Sequence, residues 1–130
     1  MKTIEDLQKK ATDMNNYLQL KVGSEPNDII ERIEMLSILI SASGLMLADA
    51  KYLQDSVING AISGALKENV FDKLSATALN KYINSLAKEQ NYLVAQFDRI
   101  NSAAVHQLDG LRSILSYRKS EFSTLSYSPR

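Results

Sequence analysis

Two apolar stripes, each sustained over more than thirty residues, constrain this chain more than any other feature. From Ile29 the first runs through Ile33, Leu36, Ile40, Leu47, Ala50, Val57 and Ala61, with Ser43 and Gln54 in the same row. Steps of three and four residues line one face of an α-helix, and when sustained they form the seam of a coiled coil or a long bundle helix. The second reads Leu79, Ile83, Leu86, Gln90, Leu93, Phe97, Ile100, Ala104, Gln107, Leu111, Ile114. The only prolines, Pro26 and Pro129, lie outside both stripes. The spacing predicts one helix from Asn27 or Asp28 to about residue 68. It predicts another from Ala76, capped by Ser75, straight through to about Phe122, with Gly110 its weak point. At the usual rise these are about 60 and 70 Å long. A short connection over 68–74 makes them run antiparallel.

A shorter helix is expected in front of them. Ile4, Leu7, Ala11, Met14 and Leu18 share a face, Thr3 is a natural N-cap with Asp6 three residues on, and Val22-Gly23-Ser24-Glu25-Pro26 ends the segment. The expected fold is therefore all-α: two long antiparallel amphipathic helices plus a shorter N-terminal one, as a three-helix bundle. One domain covers 1–122, and the Ser-rich segment 123–130 reads as an exposed tail. Second apolar rows lie beside the seams, at Leu39, Met46 and Leu53 and at Val94, Leu108 and Leu115. A short first helix cannot cover so wide a surface, so these rows are the expected interface with a second copy or another protein. The run Gly60-Ala61-Ile62-Ser63-Gly64-Ala65 suggests a tight crossing, a kink or a helix end.

Charge and composition narrow the function. Fifteen basic residues balance fifteen acidic ones, which leaves no global field to gather nucleic acid or an anionic membrane. Residues 26–70 are net acidic and 100–130 net basic, an asymmetry that favours pairing between the two long helices. Cysteine is absent and His106 is the sole histidine, which removes disulfides, thiolate chemistry and multi-histidine metal sites within one chain. The stretch Ile33–Leu47 is broken by Glu34, three serines and Gly44, too short and too polar for a membrane span. The first ten residues alternate charge and do not read as a signal peptide. A cytoplasmic or virion location follows, without cofactor, metal or membrane.

Polar function concentrates in Asn101–Lys119. His106, Asp109 and Arg112 step by three along one helix, and Tyr117 and Arg118 follow a few residues on. They are the candidate ligand site, for an anion or nucleotide. The competing reading of the stretch is a polar layer that sets helix register. No nucleophile accompanies His106, so no catalytic residue is assigned. Glu31-Arg-Ile-Glu34 matches half of the paired Glu-x-x-Glu and Glu-x-x-Asp motif with which all-α nucleotide pyrophosphohydrolases hold magnesium. The second half is missing, since Asp49 and Asp55 are six apart.

The segment Asp98–Glu121, above all His106-Gln107-Leu108-Asp109, Leu111-Arg112 and Ser116-Tyr117, resembles the C-terminal helix of small all-helical accessory proteins of tailed bacteriophages. The resemblance implies a phage or mobile-element accessory protein acting inside a bacterial cell, and it brings no established activity and no functional residues. The expected function is a non-enzymatic, homo-oligomeric binding protein that contacts a host or phage protein, as a virion component or an inhibitor of a host system. Two alternatives stay open: sequestration of a small anionic nucleotide signal of a bacterial defence system at subunit boundaries, and magnesium-dependent nucleotide hydrolysis.

Overall fold

A computed structural model describes residues 2–69 and 72–126, with side-chain surroundings as far as residue 121. The described residues form four helices rather than three, and no strand: α1 (Ile4–Leu18), α2 (Pro26–Lys67), α3 (Ala76–Leu86) and α4 (Lys88–Ser126).

Local chemistry explains each boundary. Thr3 and Asp6 close a reciprocal capping box at the start of α1, with N–H donation to the Thr3 hydroxyl at 3.3 Å and to the Asp6 carboxylate at 3.2 Å. Helix α2 begins at Pro26, just before the expected Asn27 or Asp28. Proline's fixed φ suits the first helical position, and its missing N–H is one the helix would leave unpaired anyway. Gly23 leaves room before it for the Asp28 side chain, which a Cβ at that position would push aside. Helix α2 ends where Asn69 takes a left-handed conformation, φ 55°, a role asparagine fills second only to glycine. Ser75 caps α3 as expected, its hydroxyl accepting from the Ala78 N–H at 3.2 Å.

The third expected helix is not straight. It breaks at Ala87, not at Gly110, which sits inside a continuous α4. Had the seam continued, Leu86 would be buried; instead Leu86 is 48% exposed and Ala87 fully enclosed. The break shifts the buried face by one residue, so that α3 follows the far end of α2 while α4 follows its middle. Helix α4 also runs to Ser126, into the segment 123–130 expected as a tail; residues 127–130 lie outside the described residues.

Helix α2 packs chiefly against α4, and α1 lies across both. The core joins Leu7, Ala11 and Leu18 of α1 to Leu36, Leu39, Met46 and Ala50 of α2 and to Leu93, Phe97, Ile100, Ala104 and Leu108 of α4. A separate small core of Ala65, Leu79 and Ile83 holds α3 to the end of α2. On α2 the buried row is Ile29, Arg32, Leu36, Leu39, Ser43, Met46 and Ala50. Ile29, Leu36, Ser43 and Ala50 are the expected seam. Leu39 and Met46 come from the row expected to face a partner, and Arg32 belongs to neither expected row.

This corrects the interface assignment. Leu39, Met46 and Leu108 are buried in the chain's own core, and Leu53 and Val94 pack against it. Leu115 is half-buried. The apolar row of α2 that does face outward is Met35, Ile38, Leu45 and Tyr52. The glycine-rich run makes no tight crossing either, since nothing lies within 4 Å of where a Cβ of Gly60 or Gly64 would stand.

Polar cross-links tie α2 to α4. Gln54 Nε2 donates to Asn91 Oδ1 at 2.7 Å. Asn101 Nδ2 donates to Ser43 Oγ and to the Ile40 carbonyl, both at 2.9 Å. Arg32 Nη2 donates to Gln107 Oε1 at 3.0 Å. The pairs run in opposite order along the two helices, which makes them antiparallel. Among the described residues no ion pair joins α2 to α4, so the expected pairing of an acidic with a basic helix is replaced by hydrogen bonds.

Two outcomes follow. Asn101→Ala should lower stability by about 1–2 kcal/mol, read as an earlier urea midpoint, because it removes both hydrogen bonds by which α4 holds the buried Ser43 hydroxyl and the Ile40 carbonyl. The Thr3 backbone N–H, then its side chain, hold the Asp6 carboxyl below its usual 3.8. A depressed carboxylate stabilises α1 when ionised. That contribution is complete above about pH 4 and fades as the pH falls through the folded-state value. In an NMR titration, Thr3→Ala should return Asp6 toward 3.8.

Candidate functional site

The structure does not assemble the cluster expected on α4. His106, Asp109 and Arg112 lie on one helix and are all exposed, and Tyr117 is 71% exposed. Among the described residues no hydrogen bond links any of these four to another. Arg118 turns away from them, its Nη1 donating to the Ser24 carbonyl in the α1–α2 connection. Glu31 and Glu34 are exposed on α2, and no group of three or more metal-ligating side chains gathers among the described residues. The reading of this stretch as a polar layer fits two residues, Asn101 and Gln107, which face inward.

The polar centre of the molecule lies one layer deeper, at Arg32. Its position in the buried row of α2 places a guanidinium at 6% exposure where the three long elements meet. Nη2 donates to the Leu18 carbonyl at 3.2 Å and to Gln107 Oε1 at 3.0 Å. Gln107 closes the triangle, its Nε2 donating to the same Leu18 carbonyl at 2.9 Å. The Tyr17 ring covers the guanidinium face, its centroid 4.4 Å from Cζ, a cation–π contact strengthened by the removal of water.

This arrangement has a structural cause. The last carbonyls of a helix lack intrahelical partners and carry partial negative charge. In α1, the Asn16 and Tyr17 carbonyls are taken by the N–H groups of Gln19 and Leu20. The Leu18 carbonyl is left for Arg32 and Gln107. Helix α1 has no basic residue in its last turn, so α2 supplies that charge from outside. One arginine thus fixes the end of α1 against both long helices.

The guanidinium is not saturated. Its Nε is buried and makes no hydrogen bond. Among the described residues no carboxylate pairs with it. Open grooves of about 300 Å³ flank it on two sides. One is polar, with Lys21, Asp28 and Glu31 on its walls beside Tyr17 and Met35. The other is walled by Leu18, Leu20, Val22, Leu111 and Ile114, with Gly110, and Arg32 and Gln107 are its only polar side chains.

The sequence pattern carried a signal for Arg32. Ile29, Leu36, Ser43 and Ala50 are spaced by sevens, and Arg32, Leu39 and Met46 sit three residues behind them with the same period. Pairing the seam with Ile33, Ile40 and Leu47 instead leaves the arginine outside. A charged residue in the better-buried of two adjacent rows is what marks the site.

Compared with known proteins, the chain matches no family model, no curated protein and no solved structure.

Removal of Gln107 strands part of a buried charge. Gln107→Ala should cost about 1–3 kcal/mol in chemical denaturation. The same change in an Arg32→Met background should cost less by about 1 kcal/mol, because the shared partner is gone. Equal costs in the two backgrounds would show that the two side chains act independently.

Proposed function

We propose that the protein works by contact rather than catalysis, as an oligomeric helical interaction protein whose docking surface is the outward face of α2. One observation carries this reading: of the most apolar stretch of α2, only 28% is buried. By length and composition alone that helix could cross a membrane. Its inner face, however, is committed to α4 and holds Ser43 and Arg32 in hydrogen bonds there. What remains is an amphipathic outer face. Ile38, Leu45 and Tyr52, seven residues apart, are each more than half exposed, and Met35 extends the row. Glu31, Glu34, Lys51 and Asp55 are exposed on the same helix.

A narrow apolar row on a rod with polar residues beside it suits another helix in water better than lipid on all sides. A second copy fits it well. Two α2 helices crossing antiparallel near Ala42 would set Ile38 of each against Leu45 of the other and bring Glu34 near Lys51. Each such side chain contributes about 1.5–3 kcal/mol when fully buried, against the entropic cost of association. The likeness of Asp98–Glu121 to helices of tailed-phage accessory proteins supports a role inside a bacterial cell, as a virion component or an inhibitor that occupies a host protein. Nothing in the arrangement of Glu31 and Glu34 favours nucleotide hydrolysis over this.

Sedimentation velocity tests the reading. The wild-type chain should associate as concentration rises, and Leu45→Glu should sediment as a single subunit with unchanged helix content. Its melting temperature should stay within about the small range of surface substitutions, roughly 0.5 kcal/mol in stability. A wild-type chain that stays a compact single subunit at high concentration, or a Leu45→Glu variant that associates equally well, would overturn it.

A further inference from the structure

We propose that the apolar groove beneath the C-terminal end of α1 binds a small carboxylic acid with an apolar body, its carboxylate seated on Arg32. The inference is independent of the α2 face. It starts from an imbalance. Burying a guanidinium costs several kcal/mol, which hydrogen bonds to neutral groups recover only in part. Here the neutral partners are spent on one nitrogen and one ring face: Nη2 serves the Leu18 carbonyl and Gln107, and Tyr17 covers the plane. Nε stays buried without an acceptor, and Nη1 donates to nothing among the described residues. The fold thus holds a positive charge with unused donors, and among the described residues no carboxylate pairs with it.

The two grooves beside Arg32 differ in what they admit. Asp28 and Glu31 line the polar one and oppose an anion there, offsetting Lys21 and Arg32 on the same walls. In the apolar one Arg32 is the only charged residue, and Gln107 offers the second N–H of its carboxamide. Leu20 and Ile114 on its walls are 59% and 45% exposed, apolar surface that the core leaves unused. Beside Gly110 there is open space where a side chain would stand. The groove, open to solvent, offers about 300 Å³, room for a small ligand. A fixed cation at the bottom and branched aliphatic walls above select one chemistry. A carboxylate matches the planar fork of an arginine, and an aliphatic body matches the walls. A phosphate would bring more oxygens than these donors can serve and leave the rest against leucine.

Octanoate is the probe, with octan-1-ol as its neutral counterpart and inorganic phosphate as the bare anion. Calorimetric titration of the full chain should show one saturable octanoate site per subunit and a raised melting temperature. Octanol should bind at least about tenfold more weakly, the factor expected from losing one charge-assisted hydrogen bond, and phosphate should not bind. Arg32→Met, which keeps the bulk, should lose the preference for the acid over the alcohol. Gly110→Leu should place a side chain at the edge of the groove, weaken octanoate binding and leave the unliganded chain at least as stable, since glycine disfavours a helix interior. Leu45→Glu should bind octanoate as the wild type does, which separates this site from the outer face of α2. Equal affinity for octanoate and octanol, tighter binding of phosphate, undiminished binding by Gly110→Leu, or no saturable site would each overturn the proposal.

Discussion

The whole molecule rests on the seam between α2 and α4. Leu36, Leu39, Met46 and Ala50 meet Leu93, Phe97, Ile100, Ala104 and Leu108 along it, and α1 adds its own apolar face to the same core. Apolar contact alone does not choose a register, because two smooth stripes can slide by a turn at little cost. The polar pairs make that choice. Ser43 with Asn101 and Gln54 with Asn91 are eleven residues apart on one helix and ten on the other, about three turns in each case. A slip by one turn would strip Asn101, Gln54 and Asn91 of these partners and leave Ser43 only its own-helix bond to the Ile40 carbonyl, a cost of several kcal/mol. Arg32 with Gln107 does the same for the third helix, since their shared acceptor belongs to α1.

Most of this organisation is legible in the sequence, and the exceptions have physical reasons. The helical class, the capping box at Thr3 and Asp6, the stop at Gly23 and Pro26 and the cap at Ser75 follow from local chemistry that tertiary packing does not override. The buried face of α2 is harder to read because that helix is apolar on more than one side. Ile33, Ile40 and Leu47 are as hydrophobic as Leu39 and Met46, so periodicity cannot rank the rows; position relative to α4 does. The break at Ala87 leaves no local mark, as neither glycine nor proline stands there. It exists because α3 and α4 pack on different parts of α2. The polar site was partly visible, through Gln107, while His106, Asp109 and Arg112 drew attention for their chemistry and are solvated.

The two unusual features of the fold fall on opposite sides of α2. Outward, the helix keeps an apolar row that is largely exposed. Inward, it keeps a guanidinium held only by neutral groups, with no carboxylate paired to it among the described residues. Either would be costly in a chain whose stability had to come from its own contacts alone. Together they describe a small scaffold in which α2 is the shared element: its inner row builds the core, and both of its unfilled positions lie within reach of something from outside.

The second, smaller core has a consequence for motion. Ala65, Leu79 and Ile83 are separated from the main core by the interruption at Ala87 and by residues whose packing is thin. The distal tip formed by α3 and the last turns of α2 is therefore a cooperative unit of its own. It opens at a lower free energy than the central rods, and its amides exchange with solvent before those of the main core. The molecule is a rigid shaft with a loosely latched end, and that end can reorganise around a neighbour while the register of the shaft stays intact.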